Sequence, residues 1–202
     1  MAGQTRISRR RQKYLQAIDE IERLASDFFG LAGSESIWSG KQWRLNSAAE
    51  LLVVGLYTEW ECFSHDLFIL LFSEDISKFA GGLDFSIQPR RVSAGMAEIM
   101  LTGAHYLDFR NAGELKEKAE KWLRRNPFKR MTPAQTEAIN DLAVLRNRVV
   151  HRNRRTQREF SRRILSRSPR GIPPVPGAVL THGSPPTLFR YISELKAAGN
   201  IV

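Results

Sequence analysis

The sequence predicts an all-α protein: an up-and-down helical bundle at residues 1–168, followed at 169–202 by a proline-rich extension and a short helix that packs on it. Two observations predict this fold class. Apolar residues recur three and four positions apart over long stretches, which is the spacing of one helix face, and no alternating strand pattern of useful length occurs. With 202 residues, the chain can bury a core without disulfides or metal ions.

The first helix is predicted from its apolar spacing. It follows a basic segment at 6–13 and carries a regular series of apolar residues from Tyr14 onward. Gly30 and Gly33 should end it, because glycine favours the position that follows a helix. A loop at 34–46, which holds Trp38 and Trp43, then leads to the next helix.

A second helix is predicted from Ser47 to about Phe72. Ser47 and Glu50 have the spacing of a capping box, in which each side chain satisfies a free amide at a helix start. Because the stretch is apolar over most of its circumference, it should be the central helix of the bundle. Charged and polar residues interrupt it before the roughly 20 apolar residues that a membrane crossing requires, so we expect no membrane span. The lone Cys62 and an N-terminus without an apolar run indicate a cytoplasmic protein.

Two shorter helices are predicted in the middle of the chain. A glycine pair and a proline break the chain before a helical stretch at 93–101. Asn111 and Glu114 then mark the start of a helix that continues to Arg125, where Asn126-Pro127 stops it.

Thr132-Pro133-Ala134-Gln135 is the clearest helix start in the sequence, with a cap residue, a proline at the first helical position and a glutamine two residues later. One helix is predicted from there to Ser168-Pro169, its distal half frayed by repulsion among arginines. The segment 169–186 carries most of the nine prolines and is predicted to be a loop or tether. A short helix at 188–195 should follow, closed by Gly199.

Positive charge is concentrated in one window. The formal net charge is +10, and residues 141–170 contain ten arginines and two acidic residues, a net +8. The planar guanidinium suits bidentate contact with phosphate oxygens, so nucleic acid is the expected partner. The alternative is a basic helix end that is solvated and complements the helix dipole. The residues expected to contact RNA are Arg148, Arg152, Arg154, Arg155 and Arg158.

Residues 146–151 read Arg-Asn-Arg-Val-Val-His. This run resembles the signature of the HEPN superfamily, an arginine and a histidine separated by four to six residues, in its common Arg-Asn-x-x-x-His form. That superfamily consists of small all-helical domains, many of which are metal-independent ribonucleases. Trp60-Glu61 matches the Trp-Glu or Phe-Glu pair that its members carry on an upstream apolar helix. By the order of helices the match covers roughly residues 10–165, and we place the chain nearest the RiboL-PSP type.

The resemblance implies a HEPN-type bundle and an endoribonuclease, either a toxin or an effector of a bacterial defence system, that acts as a homodimer without a cofactor. Cleavage by 2′-hydroxyl attack needs a proton acceptor, a proton donor and stabilisation of charge at phosphorus. We assign His151 as general acid or base, Arg146 as phosphate clamp and Asn147 as a neutral donor. Glu61 and His65, one turn apart, are expected either to orient the site, with an acid fixing Arg146, or to form a structural pair.

The helical wheel separates the two principal residues of the motif. Arg146 falls nearer the core edge, about 140° around the axis from His151. Either its long side chain turns outward, or the site is composed of groups from two copies. Val144 projects near His151, which suggests a second contact surface where two copies meet.

Other interpretations stay open at this stage. The fold could serve as a non-catalytic nucleic-acid-binding module or partner subunit, with Arg146 and His151 as structural residues. The segment from Thr132 could be the recognition helix of a DNA-binding protein, although the linker at 124–131 is longer than the usual turn. The sequence has neither metal-ligand spacing nor a glycine-rich phosphate loop, so no metal or cofactor is expected. Single-stranded RNA is the favoured target, and an antitoxin or defence-system protein is a possible partner.

Overall fold

The computed structural model describes residues 2–34, 41–81, 91–103, 109 and 111–201. Every regular element in these residues is helical, so the predicted all-α class is confirmed. The helices are α1 Ala2–Ser34, α2 Lys41–Glu74, α3 Ser77–Gly81, α4 Ala94–Thr102, α5 Ala112–Trp122, α6 Pro133–His151, α7 Arg154–Arg163, α8 Pro176–Thr181 and α9 Thr187–Gly199. Short 3₁₀ turns lie at Pro127–Arg130 and Leu165–Arg167.

Helix α2 is the central helix, as its apolar circumference predicts, and α1, α4, α6 and α8 pack against it. Helix α1 runs antiparallel to it: Tyr14 stacks on Phe63 at 4.3 Å between ring centroids, and Ile21 lies beside Gly55. Buried side chains of α2 such as Leu56, Phe68 and Phe72 have no solvent exposure. Burial of each such side chain stabilises the fold by about 1.5–3 kcal/mol.

Three of the predicted helix starts are confirmed. Ser93 Oγ accepts the Met96 amide at the start of α4, at 3.1 Å, and Asn111 Oδ1 accepts the Glu114 amide at the start of α5, at 2.9 Å. At the start of α6 the hydroxyl of Thr132 accepts the Gln135 amide, and the Gln135 side chain accepts the Thr132 amide, which completes a capping box. Helix α5 ends at Trp122, three residues before the predicted end.

The predicted boundary between the first two helices is wrong on both sides. Helix α1 continues through Gly30 to Ser34, and α2 already begins at Lys41. Ser47 and Glu50 therefore lie inside α2, and Glu50 Oε1 instead accepts the backbone N–H of Gly177 at 3.1 Å. Trp43 lies on α2 and is 62% exposed, whereas Trp38 lies outside the described residues.

The helix that starts after Thr132 does not run to residue 168. It ends at His151, and Arg152 takes the left-handed conformation with φ 38° and ψ 31°. Asn153 then caps α7 in a second capping box with Thr156. Helix α7 folds back along α6, because Arg163 Nε donates to Asp141 Oδ1 at 2.8 Å.

The C-terminal segment packs on the bundle. The predicted loop at 169–186 contains α8, whose Gly177 lies so close to α2 that a Cβ there would stand 2.4 Å from the Asn46 carbonyl oxygen. Helix α9 is confirmed and runs antiparallel to α1, where the Tyr14 hydroxyl donates to the Leu195 carbonyl at 3.1 Å. In the described part of the chain, no helix combines the length and apolarity needed to cross a bilayer.

Candidate functional site

A cavity of about 540 Å³ opens where α6 and α7 meet α2, and we call it the α6–α7 cavity. Four of the residues singled out from the sequence line it: Glu61, Arg146, Asn147 and Arg155. The turn at Arg152 is responsible for this convergence, because it brings α7 back beside the last turns of α6. Polar and charged groups from three helices therefore face one space.

Arg146 is the best-positioned cation of this cavity. Its Nη1 donates to Asn147 Oδ1 at 3.0 Å, and its Nη2 lies 3.9 Å from Glu61 Oε2. Its side chain is 29% exposed, and the buried Nε has no hydrogen-bond partner among the described residues. A partly exposed guanidinium beside a cavity fits an oxyanion ligand, because its planar set of charged donors matches paired oxygen acceptors.

His151 occupies a different place. It is the last residue of α6 and is exposed, and it does not line the α6–α7 cavity. Val150, the residue before it, is 49% exposed. Within one chain the structure therefore brings Arg146 and Asn147 together, and it leaves His151 on the open end of the same helix.

The predicted contact surface at Val144 is wrong. Val144 is only 5% exposed and lines the α6–α7 cavity, because α7 folds over that side of α6. The continuous helix that the sequence suggested would have left it open. Exposed apolar side chains lie instead at Val150 and at Leu51 of α2, which is 72% exposed.

The predicted RNA-contacting arginines are spread over the end of α6 and the whole of α7. Arg152 is 75% exposed and lies 3.9 Å from Glu50, whereas Arg148 is half-buried. Helix α7 presents exposed arginines whose side chains make no ion pair or hydrogen bond within the described residues. These are Arg154, Arg155, Arg158 and Arg162. Because Arg155 lines the α6–α7 cavity, the basic surface is continuous with it.

Glu61 and His65 border a second cavity, of about 430 Å³, which we call the aromatic cavity. Arg146, Glu61 and Tyr57 line both cavities, so the two adjoin. Glu61 faces Arg146, as the sequence analysis suggested for an acid in this position. His65 Nδ1 lies 3.6 Å from Asp66 Oδ1 on its own helix.

One important acid was missed by sequence reasoning. Asp141 is 2% exposed, and its carboxylate accepts hydrogen bonds from Arg163, from Arg167 and, at 3.4 Å, from the Tyr191 hydroxyl. Burial and the Asp141 charge raise the pKa of Tyr191 from its ordinary 10.0 to about 12. The signal was the position of Asp141 beside core residues of α6, where an acid must have partners.

Among the described residues, no three His, Cys, Asp or Glu side chains are placed so that they could share a metal ion. The chain matches no protein-family model, no curated protein and no solved structure.

Proposed function

We propose that the protein is a metal-independent endoribonuclease of the HEPN type, acting as a toxin or as an effector of a defence or stress system. The observation that supports this most directly is the partly exposed side chain of Arg146, which lines one cavity together with Asn147 and Arg155. Its planar, permanently charged guanidinium can bind a phosphodiester oxygen in that cavity. The Arg-Asn-x-x-x-His spacing adds a histidine at the end of the same helix.

The proposed reaction uses these side chains and RNA, with water exchanging the second proton. The substrate 2′-oxygen bonds to phosphorus as its proton leaves, the bond from phosphorus to the 5′-oxygen breaks, and that oxygen takes up a proton. The products are a 2′,3′-cyclic phosphate and a 5′-hydroxyl. His151 serves one of the two proton transfers, because an imidazole exchanges protons near neutral pH. Arg146 neutralises charge that develops at phosphorus, and Asn147 holds the guanidinium in place.

A homodimer through α6 would complete the site. His151 does not line the Arg146 cavity of its own chain, so a catalytic pair requires either a turn of the Arg146 side chain or a second copy. Val150 and Leu51 offer exposed apolar contact next to His151 and on the adjacent helix α2, a pattern that favours a partner surface. In such a dimer the imidazole of one copy would approach the phosphate held by its partner.

The test compares wild-type protein with His151→Ala on single-stranded RNA in the presence of EDTA. Loss of one proton-transfer role should slow cleavage by about 10² to 10⁴-fold. Product ends are examined for 2′,3′-cyclic phosphate, and the fold of the variant is checked by circular dichroism. His182→Ala is the matched control, since His182 is an exposed histidine on the C-terminal segment. Equal cleavage by wild type and His151→Ala would refute the assignment.

A second candidate keeps the RNA site without catalysis. The separation of His151 from the Arg146 cavity favours it, because binding needs only the cations of α6 and α7. The same experiment distinguishes the two: a binding module should retain RNA in a filter or gel-shift assay and leave it uncut under every condition.

A further inference from the structure

We propose that the aromatic cavity binds a nucleobase of the substrate, with guanine preferred, while the adjoining α6–α7 cavity holds that nucleotide's phosphate. The proposal builds on the ribonuclease function and adds the substrate preference of the same site. The carrying observation is that Arg146 and Glu61 stand at the boundary of both cavities. A phosphate bound by Arg146 would therefore place its own nucleoside beside the aromatic cavity.

The walls of the aromatic cavity suit a flat, partly apolar ring. Tyr57, Trp60 and Phe109 line it and are almost fully buried. Trp60 is fixed by its tilted contact with Phe63 at 6.1 Å, and Phe109 is held between Phe68 at 5.2 Å and the Lys118 ammonium at 5.5 Å. Such fixed aromatic walls lower the entropic cost of binding, and single-stranded RNA offers unstacked bases to them.

The size of the cavity fits this occupant. Its volume of about 430 Å³ accommodates a single base with part of its ribose, whereas a duplex would be excluded. Polar groups of Ser64, His65 and Asn111 share the lining with the aromatic residues. A mixed lining of this kind is typical of pockets that bind a polar heterocycle.

Glu61 gives the preference for guanine. A carboxylate only accepts hydrogen bonds, and guanine is the one RNA base whose Watson–Crick edge carries two adjacent N–H donors, at N1 and at the exocyclic amino group. Adenine and cytosine offer one amino group there, and uracil offers one ring N–H. The Glu61 carboxylate, held near Arg146, can accept both guanine donors while the guanidinium faces the phosphate.

Cys62 provides a readout that does not depend on cleavage, because it lines the aromatic cavity and is exposed. We would measure the rate at which a maleimide labels Cys62 in the 202-residue chain carrying His151→Ala, with and without guanosine monophosphate. Burial, followed by the charges of Glu59, Asp66 and Glu61, raises the pKa of the Cys62 thiol, so labelling is run at mildly alkaline pH. Ribose 5-phosphate, which has the phosphate but no base, is the ligand control.

Saturating guanosine monophosphate should slow labelling at least about fivefold, and uridine monophosphate should need at least about fivefold higher concentration for the same effect. Glu61→Gln should abolish the difference between the two nucleotides. Glu59→Gln, which makes the same charge change on the same helix outside the cavity lining, should keep it. Ratios of rates with and without nucleotide are compared, because both glutamates influence the thiol.

The outcomes separate this proposal from the ribonuclease function. If ribose 5-phosphate protects Cys62 as well as guanosine monophosphate does, or if all nucleotides protect equally, the base pocket is refuted even where RNA is cleaved. If guanosine monophosphate protects selectively and no RNA is cleaved, the base pocket stands and the catalytic proposal fails.

Discussion

At the scale of single residues, Asp141 determines how the arginine-rich segment after α6 is positioned. A carboxylate that is 2% exposed is stable only with paired donors, and Arg163, Arg167 and Tyr191 supply them. Two of these donors come from the segment that folds back along α6. The buried carboxylate therefore holds that segment against α6. As a result, Arg155 and Arg146 line the same cavity.

Tyr191 should make the stability of the fold sensitive to alkaline pH. Its pKa is 10.0 in the unfolded chain and about 12 in the folded one, because burial and the Asp141 charge disfavour the phenolate. The folded state thus binds its proton more tightly: this stabilisation is complete below pH 10 and is lost as pH rises through about 12. A difference of two pKa units corresponds to roughly 2–3 kcal/mol.

We expect the free energy of unfolding of Tyr191→Phe to fall less steeply between pH 10 and 12 than that of wild type. The Phe variant keeps the packing and cannot ionise, although it loses the 3.4 Å hydrogen bond to Asp141 and starts from a lower stability. Urea denaturation followed by circular dichroism at several pH values gives both slopes. If the free energy of unfolding fell equally steeply with pH in both proteins, ionisation of the Tyr191 phenol would not be the cause of the alkaline destabilisation.

At the scale of helices, the αα-hairpin of α6 and α7 explains both what the sequence predicted and what it missed. The local sequence was sufficient to predict where α4, α5 and α6 start, because each capping side chain lies within three residues of the amide that it caps. The break at Arg152 was missed although Asn153 and Thr156 have capping spacing, since the arginine run suggested one frayed helix. Because the break was missed, Val144 was predicted to lie on an open contact surface, whereas α7 covers it.

Other differences depend on contacts between distant parts of the chain. Glu50 looked like a capping residue, but its carboxylate binds the Gly177 amide, a partner that no local pattern reveals. Helix α8 forms in a segment rich in proline because Gly177 allows its backbone to lie against α2. The placement of Glu61 near Arg146 could be anticipated as one option, whereas the cavity around them needed the fold.

Arg152 has the strained backbone conformation in the hairpin turn. Its replacement by glycine and its replacement by alanine should therefore differ in the free energy of unfolding. At φ 38°, a residue with a Cβ is disfavoured and glycine is not. Arg152→Gly should raise the free energy of unfolding relative to Arg152→Ala by about 1 kcal/mol. Both variants remove the same exposed side chain and its 3.9 Å contact with Glu50, so the difference isolates the backbone.

Urea denaturation of the two Arg152 variants provides the measurement, with equal slopes against urea as evidence that the unfolded states are comparable. An alanine variant as stable as the glycine variant would show that the left-handed turn carries no strain.

At the scale of the whole molecule, a large share of the positive charge lies on one surface. Much of the net charge of +10 arises from the end of α6 and from α7, where four exposed arginines lack partners within the described residues. On α1, by contrast, Arg23 is paired with Glu20 and Asp27. A polyanion should therefore be attracted to the α7 face, and its affinity should depend on salt concentration.

Replacing Arg158 with glutamine should weaken RNA binding and reduce the dependence of log affinity on log salt concentration by about 0.7 for the lost phosphate contact. Arg23→Gln should change neither quantity, because that guanidinium is already neutralised by two acids. Fluorescence anisotropy with labelled single-stranded RNA at several salt concentrations measures both. Identical salt dependence for wild type and Arg158→Gln would show that Arg158 of α7 does not contact RNA phosphates.

The assembly that the catalytic proposal requires can be tested through Val150. This side chain is 49% exposed next to His151, so a dimer through the end of α6 would bury it. Val150→Glu would then place two like charges in an apolar interface and should shift a dimer to monomers, with loss of cleavage. Leu24→Glu is the matched control, since Leu24 is 45% exposed on α1 and should leave the assembly intact.

Light scattering coupled to gel filtration across a range of concentrations measures the mass of each protein. A wild-type protein that cleaves RNA while remaining monomeric at every concentration would show that Arg146 turns outward to meet His151 within one chain.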